Sequence, residues 1–163
     1  MKRRRQTALD DGSTPESEAV VLSARLGAKL SLELDEFFGE WGITGRQFNI
    51  LRILYVRDPE RRGISRGALE ARLVWRMPDV TRLLDRLAAG GLITRHRPAD
   101  DQRTVLATLT DKGWDLVEKS HGPLLRLNRS QFAHMSRKQV LELITLLRKA
   151  LNRPAERVAD AAE

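Results

Sequence analysis

Residues 78–113 read PDVTRLLDRLAAGGLITRHRPADDQRTVLATLTDKG, and this stretch decides the fold. Pro78 suits the first turn of a helix, where its missing N–H has no partner to lose, and Gly90-Gly91 ends that helix after Ala89. Between them Val80, Leu83, Leu84 and Leu87 recur at intervals of three and four, the spacing of a buried helical face. Asp79, Arg82 and Arg86 then share the opposite face, at i, i+3 and i+7. Leu92–His96 and Thr104–Leu109 have the β-branched and leucine content of two short strands, and the seven residues from Arg97 to Arg103 have the chemistry of a turn. A helix followed by a two-stranded hairpin is expected, after which Thr110-Asp-Lys-Gly113 opens a further helix.

Working back along the chain, Ser65 caps a short helix to about Leu73, with Leu69 and Leu73 inward, after a turn at Arg61-Arg62-Gly63. Thr44 starts a helix with Phe48, Leu51, Leu54 and Tyr55 inward that ends near Asp58-Pro59. Before it, Ser13 or Thr14 with Pro15 and two glutamates begins a long helix, in which Ala19, Leu22, Leu26, Leu30, Leu34, Phe37 and Trp41 form one stripe up to Gly42. Working forward, Trp114, Val117, His121 and Leu124 mark one face of a helix that continues past Pro123 with a kink. Ser136 caps the last helix, whose stripe is Val140, Ile144, Leu147 and Leu151.

The expected fold class is mainly α with a small two-stranded β-wing. A winged helix-turn-helix lobe covers about 44–109, and helices over about 15–41 and 111–152 form a dimerisation region, all within one domain from 15 to 152. Residues 1–14 lack periodicity and are expected to be a disordered basic arm, and 153–163 a frayed tail.

Composition narrows the function classes. Of the 163 residues, 41% are hydrophobic and 31% charged, a globular balance, and no apolar run approaches the ~20 residues that span a bilayer. The basic start, Lys2 to Arg5, is followed by a polar stretch where a signal peptide needs an apolar one, so a cytoplasmic protein without membrane contact is expected. With no cysteine there is no disulfide, thiolate nucleophile or cysteine metal site. His96, His121 and His134 fall on different elements, so no metal is expected, and His121 is expected on the apolar face of its helix. There is no phosphate loop or nucleophile elbow, which disfavours an enzyme, and no cofactor is expected. Net charge is +7, and from Arg61 to Arg103 ten arginines and no lysine stand against five acids, a charge concentration that points to a polyanion.

That charge and the helix–hairpin layout together describe a reader of double-stranded DNA. The helix after Pro78 fits a major groove, with Arg76, Met77, Asp79 and Thr81 at base edges and Arg82 and Arg86 at bases or flanking phosphates. Asp79 repels phosphate unless it accepts from a cytosine amino group or holds a neighbouring arginine. At the hairpin tip, Arg97 or Arg103 reaches the adjacent minor groove. The terminal stripes, including Leu22, Leu26, Val140, Ile144, Leu147 and Leu151, are more apolar than one small lobe can cover, so two chains are expected to bury them mutually.

Pro78–Leu87 followed by Gly91-Leu92-Ile93, then Asp101-Gln-Arg103 with Leu109-Thr-Asp-Lys-Gly113, resembles the recognition helix and wing signature of the MarR-type transcriptional regulators. The resemblance implies a homodimer built by the first and last helices and a palindromic DNA operator. It also implies that Asp101 orients Arg103 for the minor groove and that Ser65 and Arg66 contact the DNA backbone. Similar proteins hold aromatic or phenolic ligands near the junction of the first two helices, where this chain has Phe37, Trp41, Phe48 and Tyr55. A ligand-responsive repressor is therefore the expected function. The alternative is a winged-helix protein-docking or architectural nucleic-acid-binding protein without a ligand, against which the ten arginines and the wing pair weigh. Two departures bear on base preference: Trp75-Arg76-Met77 stands where the family often has a small hydroxyl residue, and Asp79 where threonine often follows.

Overall fold

The computed structural model describes residues 14–73, 79–98 and 101–151, so the expected basic arm (save Thr14) and tail lie outside the described residues. The chain forms two compact units, one reaching to His121 and the other beginning at Gly122.

In the first unit, α1 (Pro15–Gly39) starts where Thr14 accepts a hydrogen bond from the amide of Ser17, with Pro15 at the first position and Glu16 and Glu18 at the positive end of the helix dipole. It stops at a turn in which Gly42 takes φ +71°, a left-handed conformation that glycine adopts without strain. α2 (Gly45–Arg57) opens on a capping box, Thr44 and Gln47 each satisfying the other's amide. Asp35 of α1 reaches across to accept from the amide of Gly45 at 2.7 Å, which fixes the angle between the two helices. Phe48, Ile50, Leu51, Ile53 and Leu54 of α2 are buried with Phe38, and α2 is the centre of this core.

The strand β1 (Ile64–Ser65) leads into α3 (Arg66–Glu70), capped by the Ser65 hydroxyl on the amide of Ala68. Next come α4 (Val80–Ala89), β2 (Ile93–His96) and β3 (Leu106–Leu109). The sheet is antiparallel in the order β1-β3-β2, with Ile93 opposite Leu109 and Ile64 opposite Ala107. The hairpin read from the sequence thus gains a third strand. β1 has only two residues, too short for an alternating pattern to register, and its strand character comes from pairing with β3. α3 ends earlier than expected, at Glu70, with Leu69 buried and Leu73 half-buried.

α5 (Asp111–Gln131) passes Pro123 as one helix. Its buried residues by His121 are Gly113, Leu116, Val117 and Ser120, rotated from the expected Trp114–Val117–His121–Leu124 face. Only Val117 belongs to both; Trp114 and Leu124 are half-buried and His121 is exposed. Gly113 sets that rotation. A Cβ there would stand 2.0 Å from the carbonyl oxygen of Leu92, so only glycine lets the helix sit against this backbone. Ser120 is fully buried because its hydroxyl returns a hydrogen bond to the carbonyl of Val117, which removes the usual penalty on a polar group.

In the second unit, α6 (Arg137–Leu151) begins with reciprocal bonds between Ser136 and Gln139 and buries none of its residues.

Candidate nucleic-acid interface

α4 buries Val80, Leu84 and Leu87, with Leu83 half-buried. That anchors the helix so that Thr81, Arg82 and Arg86 are exposed. Asp79 stands at the N-cap without accepting from any amide of the helix, and its Oδ2 lies 3.1 Å from Nε of Arg82. It therefore holds a neighbouring arginine, one of the two roles its charge required. Arg66 of α3 pairs with Glu70 and donates to the Thr81 hydroxyl at 3.4 Å, joining the two helices of the helix-turn-helix. Arg76 and Met77, with Trp75 and Pro78, lie outside the described residues.

At the wing tip, Oδ1 of Asp101 accepts from the amide of Arg103 at 2.9 Å and from that of Thr104 at 3.3 Å. This is an aspartate turn, in which a side chain replaces a main-chain acceptor. The Thr104 hydroxyl and the Arg103 amide, with Arg97 nearby, hold the Asp101 carboxyl below the ordinary aspartate range. The bond to Arg103 runs through its main chain, so Asp101 shapes the turn that carries this arginine. Arg97 donates to the carbonyl of Gln102, whose amide donates to the carbonyl of Pro98 at 2.9 Å. Asp100 lies outside the described residues.

Several residues that support this surface were not singled out by sequence reasoning. Asp58, read there as a helix end, is buried, and its carboxylate accepts from the amides of Arg62 and Gly63 at 2.7 and 2.8 Å and from the Thr108 hydroxyl at 3.3 Å. It ties the turn before β1 to the central strand. The sequence signal was an acid just past a helix and ahead of a glycine turn. The Thr110-Asp-Lys-Gly113 run also has a physical role, since Thr110 and Lys112 donate to the carbonyls of Gly91 and Gly90. These bonds dock the start of α5 on the turn between α4 and β2.

The arginines of the lobe are unequal electrostatically. Arg61, Arg62, Arg66, Arg82 and Arg95 pair with Asp111, Glu60, Glu70, Asp79 and Asp85 respectively. Arg86, Arg97 and Arg103 form no ion pair among the described residues, although Arg97 lies near the Asp101 carboxylate. Arg46, Arg52, Arg57 and Arg72 form none either, so unpaired arginines are spread over the lobe, and three of them stand on the outer face of α4 and at the wing turn.

The four candidate ligand residues fall into two groups. Phe48 stacks on Phe38 at 4.0 Å and Phe37 packs edge-on against Phe38 at 4.8 Å, beside half-buried Trp41. Tyr55 instead packs on Trp114 at 4.4 Å, and both donate to Glu118, while Arg61 covers the Trp114 ring. Burial and the Glu118 carboxylate push the Tyr55 phenol up from its ordinary range. Of the candidate interface residues, Leu26 and Val140 are half-buried, while Leu22, Ile144, Leu147 and Leu151 are exposed. Among the described residues no three histidines, aspartates or glutamates gather as a metal site, and no helix is long and apolar enough to cross a membrane.

The MarR family model matches residues 41–104, which contain α2, the helix-turn-helix and the wing tip through Thr104. The HTH-type transcriptional regulator YkoM of Bacillus subtilis is 34% identical over 113 residues, 68% of this chain and 70% of that protein. The crystal structure of a MarR transcription factor from Planctomyces limnophilus superposes with a TM-score of 0.64 at 30% identity, covering 84% of this chain and 97% of that one. The crystal structure of a MepR–DNA complex from S. aureus shares the fold, with a TM-score of 0.68 at 23% identity over 86% of this chain and 98% of that one. A helix-turn-helix and an arginine-tipped wing, combined with these matches in sequence and structure, mean that the chain belongs to the MarR family of transcriptional regulators.

Proposed function

We propose that the protein is a ligand-responsive repressor that binds a palindromic DNA operator as a homodimer in the cytoplasm. The observation that carries the reading is that Arg86 on the outer face of α4, and Arg97 and Arg103 in the wing turn, are exposed and form no ion pair among the described residues, on a helix and a hairpin whose apolar sides are already satisfied. α4 lies in the major groove, and the wing sends Arg97 or Arg103 into the adjacent minor groove. Ser65 and Arg66 meet the phosphate backbone. That MepR was crystallised with DNA supports this mode of docking.

The second copy covers apolar side chains that are exposed in the single chain: Leu22 on α1, and Ile144, Leu147 and Leu151 on α6. A twofold axis then sets two recognition helices about 10 base pairs apart, one turn of DNA, which is why the operator is palindromic. The ligand is a small aromatic or phenolic molecule held beside the half-buried rings of Phe37 and Trp41. It acts by favouring a lobe spacing that does not fit the operator, and a coupling of about 1 to 3 kcal/mol changes affinity about 5- to 150-fold.

The test is binding of the full chain to the duplex upstream of its own gene, against a scrambled duplex of equal length, at several salt concentrations. Discrimination between the two with a steep salt slope is expected. Equal binding to both would overturn the reading.

A further inference from the structure

An aspartate at a helix N-cap ordinarily accepts from an amide two or three positions on. Asp79 caps no amide of α4, and its carboxylate engages Nε of Arg82 at 3.1 Å instead. Both side chains are substantially exposed, and a pair of this kind contributes little to stability. Its consequence lies in what it leaves free. The arginine fork has five N–H donors in one plane. With Nε engaged, the two terminal nitrogens remain, and Arg82 has no other acid partner among the described residues. Two parallel donors match O6 and N7 of guanine, the commonest specific contact in the major groove. An unclamped arginine on a helix facing DNA also has phosphates within reach, and those contacts carry no sequence information. A carboxylate beside Nε repels phosphate oxygens and so disfavours that alternative.

We propose that Asp79 is a specificity-determining positioning residue, which by clamping Nε of Arg82 turns that arginine from a phosphate contact into a reader of guanine. The inference rests on the reading that α4 enters the major groove. It explains why an acid occupies the most anion-facing end of a helix in an otherwise basic lobe.

The experiment is selection of duplexes from a random library by the full chain, followed by titration of the selected duplex, its G·C-to-A·T variant and a scrambled duplex at several salt concentrations. The wild type is expected to select a guanine in each half-site whose replacement weakens binding by roughly five- to a hundredfold, and Arg82→Lys to relax that same position. Asp79→Ala should lose at least about fivefold of this discrimination. It should also bind the scrambled duplex more tightly, with a salt slope steeper by about one for each arginine released. Asp79→Asn keeps an acceptor for Nε but loses the charge that repels phosphate, so it should lose clearly less of the discrimination than Asp79→Ala. Circular dichroism is expected to show equal helix content in both variants, because Asp79 caps no amide. Equal losses in the Asn and Ala variants, unchanged selection by Asp79→Ala, or a selected site with no guanine sensitive to Arg82→Lys would each overturn the clamp. A wild type that selects no sequence would instead overturn the regulator reading beneath it.

Discussion

α4 and α6 look alike as sequences, each a helix with an apolar stripe at three- and four-residue spacing, yet the fold treats them differently. The α4 stripe is spent inside its own unit, with Leu87 fully buried and Val80 and Leu84 nearly so. On α6 no residue is buried, Ile144 and Leu147 are each 38% exposed, and Leu151 is 82% exposed. What α4 has left to offer is charge, which suits an anion. What α6 has left to offer is apolar surface, which suits another apolar face. Leu141 and Leu146 widen the exposed surface beyond a single stripe. The difference separates a face that presents charge from one that presents apolar side chains.

The comparison breaks hardest at Leu147. If a second copy covers α6, Leu147→Glu sets twofold-related carboxylates into an apolar seam, at a cost of several kcal/mol. A monomer mass in light scattering with unchanged helix content is the expected result, and a persistent dimer mass would remove α6 from the interface. On the other helix, Leu87→Ala leaves a cavity in the core and should lower unfolding stability by about 2 to 5 kcal/mol in a urea titration. Loss below about 1 kcal/mol would mean that α4 is not anchored as described. Arg103→Ala should weaken operator binding by about 1 to 3 kcal/mol without moving the unfolding midpoint or the dimer mass. Unchanged affinity would sink the role of the wing.

The smallest effect concerns acid. The Asp101 carboxyl is depressed in the folded chain, so its contribution to the wing turn is present above the unfolded aspartate value of about 4 and is lost only as pH falls through the lower folded value. The amide resonances of Arg103 and Thr104 should therefore stay constant from neutral pH down to about pH 4 and shift below it. A shift already complete at pH 5 would mean that the carboxylate does not hold the turn.

The caps at Thr14, Thr44, Ser65 and Ser136 could be read directly, because a hydroxyl reaching an amide three residues on is a local event. The outward face of α4 was legible for the same reason. The rotation of α5 was not, since an aromatic ring at Trp114 suggests burial more strongly than a glycine does, whereas close backbone approach gave the inside position to Gly113. The aromatic residues were grouped by closeness in sequence and divided by packing, with Tyr55 drawn to Trp114 and away from Phe48.

The sequence by itself determined the helices and their caps, consequences of residues within about four positions of one another, the hairpin, whose two strands flank one turn, and the basic character of the lobe. Tertiary structure alone decided the third strand, the burial of Asp58 and which arginines are already paired with acids. The bond from Thr108 to Asp58 joins residues 50 apart, and Arg61 meets Asp111 over the same separation. No local pattern encodes such pairs, because they exist only once the sheet has brought the distant segments together.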